Sequence, residues 1–174
     1  HCLPKTAWPP TYEKVEAIEA LDGIVDIFLP DFKYISSEMA ARYSNAPDYP
    51  EIAKRALAQM VKQTGDAKFD ERDMMKRGVI VRHLILPGHI KESKEAIRYL
   101  YETYGDQIYI SIMNQYTPMP GIEKRFKNLG RTITQKEYDE VVDYAIDLGV
   151  ENGFIQEGET AKESFIPQFD DTGL

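Results

Sequence analysis

Cysteine, histidine and long apolar runs are scarce in this chain of 174 residues, and each scarcity excludes a class of protein. The one cysteine, Cys2, can form neither an internal disulfide nor a thiolate metal cage, which favours a reducing, cytoplasmic location. No run approaches the ~20 apolar residues that span a bilayer, and no signal peptide precedes the first predicted helix, so no membrane partner is expected. The net charge of −8 argues against a nucleic-acid partner, because nucleic-acid binding needs a concentrated basic surface.

Common catalytic motifs are also missing. The sequence has no Gly-x-Gly-x-x-Gly after a predicted strand, no P-loop, no HExxH and no CxxC. Its three histidines, His1, His83 and His89, lack the spacing of metal ligands. With 43% hydrophobic and 29% charged residues, the composition is that of an ordinary globular domain.

A repeated alternation of strands and helices is present instead. Apolar runs predict strands at 23–29, 79–86, 108–113 and 152–156, and helical periodicity predicts helices at 11–22, 47–64, 91–105 and 134–149. Residues 30–45 are predicted to form a loop. This pattern predicts βαβ units around a parallel sheet. One domain is expected over 11–157, after an irregular lead-in at 1–10 and before a tail at 158–174 with Phe165 and Phe169 as apolar anchors.

The three or four predicted units are too few for a closed barrel. An eight-fold barrel needs roughly 250 residues, so the chain forms either a small open sheet or part of a barrel. Ligands in both architectures bind at the carboxyl ends of the strands. That end of the sheet is therefore where functional side chains are expected.

Polar side chains lie at three successive strand ends. Asp31 and Lys33 follow the first strand, and they are either a solvated ion pair or a ligand-binding pair. Arg82 lies inside the apolar run of the second strand, and burying an unpaired guanidinium costs several kcal/mol, so it must meet a carboxylate of the protein or of a ligand. Asn114 and Gln115 either bind a small polar ligand or cap the neighbouring backbone.

Alternation along the second strand separates His83 from Arg82. Neighbouring strand residues point to opposite faces, so His83 is expected to pack toward the helices as a hydrogen-bonded core residue.

Four segments carry a resemblance to a known family. GIVDIFLPDFKY, NAPDYPEIAKRAL, GVIVRHLILPGH and ISIMNQYTP resemble, in that order, the C-terminal half of radical S-adenosylmethionine proteins similar to pyruvate formate-lyase activating enzyme. The resemblance covers Tyr12 to Pro120 and continues more loosely through NGFIQEG. It implies the C-terminal half of a partial (β/α)6 TIM-like barrel, in which a [4Fe–4S] cluster and S-adenosylmethionine meet at the carboxyl ends of the strands.

The same resemblance assigns roles to individual residues. Asp31 and Lys33 match a D-x-K of the S-adenosylmethionine site, and Arg82, followed by Pro87-Gly88, matches an arginine near the methionyl carboxylate. A polar residue of the sixth barrel strand packs near the adenosine, and Asn114, Gln115 or Tyr116 occupies that place.

Two departures from the family pattern limit what the chain does alone. The CxxxCxxC cluster loop and the glycine-and-glutamate segment that holds the amino group of S-adenosylmethionine are absent from this sequence. We therefore expect no catalytic residue, no metal ligand and no bound cofactor in this stretch. The S-adenosylmethionine, the cluster and a protein or small-molecule radical substrate would belong to the intact parent. The alternative is a stand-alone, non-catalytic α/β binding or interaction domain.

Half a barrel predicts self-association. The strand at 23–29 would become a sheet edge, and Ile27, Leu29, Val81 or Ile80, and Ile112 would face water. The simplest outcome is a two-fold dimer that buries the edge or the open barrel face.

Overall fold

The repeated strand–helix pattern folds into a mainly parallel sheet with helices packed on it. The structure, a computed structural model, describes residues 6–7, 14–157 and 162–165. The strands are β1 Thr6–Ala7, β2 Ile27–Phe28, β3 Lys68–Phe69, β4 Met75–Leu84, β5 Ile108–Met113, β6 Gly153–Glu157 and β7 Lys162–Phe165. The helices are α1 Val15–Glu19, α2 Ser37–Ser44, α3 Tyr49–Thr64, α4 Ile90–Tyr104 and α5 Gln135–Leu148. In this part of the chain, no helix combines the length and the hydropathy needed to cross a bilayer.

The strands follow one another across the sheet in chain order. The order is β1-β2-β4-β5-β6-β7, with β3 paired only to β4. Neighbours from β1 to β6 are parallel, whereas β7 runs antiparallel to β6 and β3 runs antiparallel to the start of β4. The parallel sheet is therefore confirmed, with the three predicted strands adjacent in the predicted order.

The register of the strands decides which side chains share a face. Ile27 lies opposite Gly78 in β2 and β4, and Asp31 bridges to Arg82 with the same offset, so the chain stays in register past the end of β2. Each residue of β4 from Val79 to Leu84 pairs in turn with β5 from Ile108 to Met113. The first face carries Val79, Val81, His83, Ile108, Ile110 and Ile112; the second, here called the open face, carries Ile80, Arg82, Leu84, Tyr109, Ser111 and Met113.

The first face is the core of the protein. Its β4 and β5 side chains form one buried cluster with residues of the three crossover helices, such as Leu57 of α3, Ile97 of α4 and Val141 of α5. The open face is different, because apart from Ser111 its side chains stay partly exposed. Parallel sheets are usually covered on both faces, so the partial exposure of this face among the described residues is unusual.

His83 lies on the helix-covered face, as predicted. Its side chain is 1% exposed, and Nδ1 lies 2.7 Å from the carbonyl oxygen of Phe32, to which it donates a hydrogen bond. The histidine thus ties β4 to the chain segment that follows β2.

The predicted loop at 30–45 is wrong, because it contains α2. The hydroxyl of Ser36 accepts from the backbone N–H of Met39 at 3.3 Å, and Asn45 ends the helix in the left-handed conformation. The predicted strand at 23–29 is correspondingly shorter, since the turn that ends α1 extends to Val25, whose N–H donates to the carbonyl of Leu21.

Both ends of the chain contribute strands that the sequence pattern did not indicate. Thr6–Ala7 pairs in parallel with β2, so this part of the lead-in is not irregular and the predicted edge at β2 is covered. In the tail, Lys162–Phe165 pairs with β6. Phe169 lies outside the described residues.

Three of the side chains expected to face water, those of Ile27, Val81 and Ile112, are buried. Val81 and Ile112 are 0% exposed, because the register puts them on the helix-covered face. Ile27 is 7% exposed, whereas Ile80 and Leu29 stay partly exposed.

Candidate functional site

Asp31 and Arg82 meet at the carboxyl ends of adjacent parallel strands. The backbone holds them opposite each other: Arg82 N–H donates to the carbonyl of Pro30, and Phe32 N–H donates to the carbonyl of Arg82, each at 2.8 Å. Oδ1 of Asp31 then accepts from Nε of Arg82 at 2.7 Å and lies 2.6 Å from Nη2. Arg82 therefore meets a carboxylate of the protein, which was one of its two predicted partners.

Lys33 joins this pair on the open face. Asp31, Lys33 and Arg82 line a pocket of about 100 Å³ together with Leu84 and Met113. The lining of the pocket thus combines two apolar side chains with one anion and two cations. Such a donor set suits a small ligand that bears both a carboxylate and an ammonium group.

A hydroxyl from α3 fixes the backbone of the D-x-K segment. Tyr49 Oη donates to the carbonyl of Asp31 and accepts from the N–H of Lys33, both at 2.9 Å. Tyr49 is 5% exposed and is the first residue of α3. Because both backbone groups on either side of Phe32 are satisfied, Asp31 and Lys33 are held pointing to the same face.

Asn114, Gln115 and Tyr116 follow directly after β5 but lie beyond the pocket. In the part of the chain that the structure describes, the lining stops at Met113. Asn114 is partly buried and Gln115 is exposed. Burial raises the pKa of Tyr116, whose hydroxyl donates to the carbonyl of Leu129 at 2.9 Å within the same loop.

Several residues of this site were not singled out from the sequence. Leu84 lies two residues after Arg82, so the alternation along β4 could have identified it. Met113 of β5 shares the face because the register pairs it with Leu84. Ser111 lies beside Arg82 on the neighbouring strand and is 3% exposed. Its hydroxyl has no hydrogen-bond partner among the described residues. No sequence signal marks Tyr49, because its role depends on how α3 docks.

The described residues hold no evident metal centre. Across 14–157 and the described ends, no group of three or more histidine, cysteine, aspartate or glutamate side chains is placed to bind a metal ion. Cys2 lies outside the described residues.

Comparison with known proteins finds a relative of this chain by sequence. The chain is 30% identical over 134 residues to the uncharacterized protein MJ0674 of Methanocaldococcus jannaschii. The alignment covers 77% of this chain and 35% of the relative, so the chain spans about a third of the length of the relative it matches. No protein-family model matches the chain.

Proposed function

We propose that this chain forms the carboxyl-terminal part of the S-adenosylmethionine site of a radical enzyme similar to pyruvate formate-lyase activating enzymes, an iron–sulfur oxidoreductase. One observation carries the proposal. Asp31, Lys33 and Arg82, the three residues that match the family's site, converge in one pocket at the carboxyl ends of neighbouring parallel strands. A cytoplasmic location is part of the same proposal.

The strand order supports a barrel in preference to an open doubly wound sheet. A doubly wound sheet reverses its strand order and carries helices on both faces. Here the parallel strands keep chain order from β1 to β6, and α3, α4 and α5 share one core on one face. Sequential order with the helices outside is the pattern of a barrel, and the open face would then be its interior. We infer half of a partial (β/α)6 barrel.

The pocket fits the methionyl end of the cofactor. The guanidinium of Arg82, oriented by Asp31, binds a carboxylate in a planar, charge-assisted fork, and the carboxylate of Asp31 attracts an ammonium group. Lys33 adds a second positive charge for the carboxylate. When bound and cleaved by reduction, S-adenosylmethionine supplies a 5′-deoxyadenosyl radical that abstracts hydrogen from a protein or small-molecule substrate.

The described residues do not fit the [4Fe–4S] cluster. Such clusters are held by cysteine thiolates, and the described ranges contain none. A cluster would need cysteines that the described residues do not contain, so this stretch has a binding role only.

A stand-alone binding domain is the second candidate. The observation in its favour is that Asp31 accepts from Arg82 at 2.7 Å, as a purely structural ion pair would. The coding sequence upstream of His1 separates the two candidates. A radical enzyme requires a CxxxCxxC there, and its absence would favour the binding domain.

Mutation of Arg82 tests the site itself. In the polypeptide that includes the cluster loop, we expect Arg82→Ala to weaken S-adenosylmethionine binding by on the order of tenfold to a hundredfold, since hydrogen bonds to charged groups contribute about 1.5–3 kcal/mol. Isothermal titration calorimetry measures the affinity. Arg98→Ala, which removes an exposed arginine of α4, is the matched control and should leave it unchanged. Full affinity in Arg82→Ala would remove Arg82 from the site.

A further inference from the structure

The loop between β5 and α5 is basic in a chain whose net charge is −8. Residues 121–131, GIEKRFKNLGR, contain four cations and one acid. Arg131 pairs with Glu137, but Lys124, Arg125 and Lys127 are exposed, as is Arg42 of α2. Within the described ranges these four exposed cations form no ion pair. We call Arg42, Lys124, Arg125 and Lys127 the basic rim.

Aromatic contacts hold two of the four cations in place. Cζ of Arg42 lies 5.4 Å from the ring centroid of Tyr43, and Cζ of Arg125 lies 5.0 Å from that of Phe126. The Tyr43 and Phe126 rings meet edge to face, with centroids 4.8 Å apart and planes at 79°. The two arginines therefore flank one aromatic pair, each within cation–π distance of a ring.

His89 fastens the basic loop to α2. Tyr43 Oη donates to Nε2 of His89 at 2.7 Å, and Nδ2 of Asn128 lies 3.2 Å from the same nitrogen. Burial, with the Arg42 charge nearby, lowers the pKa of His89, so the ring is a neutral acceptor. The loop and α2 thus present their cations as one surface.

This surface lies next to the candidate site. Lys33 lines the pocket with Asp31 and Arg82, and it also lines a small adjoining cavity bounded by His89 and Glu92. The basic rim, held by His89, therefore borders the carboxyl ends of the strands.

We propose that the basic rim is a docking surface for an acidic segment of a partner protein. Exposed guanidinium groups without ion pairs among the described residues bind carboxylates bidentately, and the neighbouring cations of the rim add to the attraction. A partner protein fits better than nucleic acid, because the basic rim offers four cations in a chain of net charge −8, whereas nucleic-acid binding needs a larger basic surface. That the partner is a radical substrate rests on the proposed function, whereas the docking itself does not.

A binding assay with a synthetic acidic peptide tests this surface. The probe is a fluorescein-labelled peptide of alternating glutamate and glycine, and its glutamine counterpart is the uncharged control. Fluorescence anisotropy should show binding of the acidic peptide at low ionic strength that weakens as salt is added. The double variant Arg42→Glu/Arg125→Glu should weaken it by on the order of tenfold.

The matched control is Arg55→Glu/Arg98→Glu, which changes the net charge equally on exposed positions of α3 and α4. It should lose less than about twofold, because exposed charges that do not touch the peptide are screened. Arg42→Gln/Arg125→Gln should show an intermediate loss without introducing new acids. Arg82→Ala should keep the peptide affinity, which separates this surface from the proposed cofactor site.

Three results would overturn the proposal. They are no binding of the acidic peptide by the unmodified chain, an equal loss in the Arg55/Arg98 control, or tighter binding of single-stranded oligothymidylate with the same dependence on Arg42 and Arg125. The last result would reassign the basic rim to nucleic acid.

Discussion

His83 is a titratable side chain with almost no access to water in a core of apolar residues. Burial holds the pKa of His83 below its usual value, and the hydrogen bond from Nδ1 to Phe32 only partly opposes this effect. The folded chain therefore keeps the imidazole neutral, whereas the unfolded chain takes up a proton near pH 6.5. Protons bind preferentially to the unfolded state, so acid destabilises the fold through this residue.

We expect the contribution of His83 to the free energy of unfolding to be constant above about pH 6.5. Below that value, this contribution should lower the free energy of unfolding progressively as the pH falls. Urea unfolding at a series of pH values measures it. His83→Asn keeps a side-chain amide to donate to Phe32 and should flatten this dependence. His89→Gln is the comparison variant, because His89 is less buried. An unchanged pH profile in His83→Asn would contradict the assignment.

Residues on regular strands were predictable, and those that depend on docking were not. Asp31, Lys33 and Arg82 were expected together at the carboxyl ends of successive strands, and in the structure they line one pocket. Tyr49 escaped prediction because its contact with the backbone around Phe32 joins positions far apart in the chain.

At the scale of elements, the start of α5 is the best-defined helix terminus of the chain. Thr134 and Glu137 form a capping box, in which each side chain bonds the backbone N–H of the other residue. Glu137 also accepts from Gly88 N–H at 2.8 Å and from both terminal nitrogens of Arg131. One carboxylate thereby joins α5 to the turn between β4 and α4.

We expect Thr134→Ala to lower the free energy of unfolding by about 1 kcal/mol, the usual cost of losing such a cap. Thr132→Ala is the matched control, since Thr132 precedes the N-cap by two residues and its exposed side chain makes no hydrogen bond within the described residues. Denaturant unfolding of both variants provides the comparison, and an equal loss in the two would argue against the cap.

The Arg131 guanidinium holds the pKa of Glu137 well below its usual range. The contribution of this carboxylate is therefore present near neutral pH and is lost in acid.

Long elements were predicted well and short ones poorly. Helices α3, α4 and α5 have several turns of apolar spacing, and β5 matches its predicted bounds. The eight residues of α2 place Ala40 alone in the core, so their periodicity was too weak to distinguish a helix from a loop. A strand of two residues, such as β1, is too short to show a period. Only its pairing with β2 defines β1 as a strand.

At the scale of the whole molecule, the open face is the part of the sheet whose described side chains remain mostly partly exposed. It combines the partly exposed apolar side chains of Ile80, Leu84, Tyr109 and Met113 with the charged pocket. The pairing of β1 with β2 covers the edge that the sequence predicted to be exposed, so any self-association is expected through the face and not through that edge.

We expect this chain to self-associate, most simply as a two-fold dimer that buries the open face. Light scattering at micromolar concentration should give about twice the mass of the chain. Ile80→Lys should shift the equilibrium toward the monomer, because it places a charge in the buried interface. Ala58→Lys, on the exposed side of α3, should not. A monomer at all concentrations would show that the face tolerates water without a partner.

The two edges of the sheet differ, because β7 runs antiparallel to its neighbour whereas β1 runs parallel to its own. Both edges of β6 are occupied, by the parallel β5 and the antiparallel β7. Among the described strands, one that extends the parallel part of the sheet would therefore pair with β1. The parallel part of the sheet can thus be extended at one edge, the edge formed by β1. A barrel closed on this sheet would therefore include an antiparallel pairing at β7 and would differ there from an all-parallel barrel.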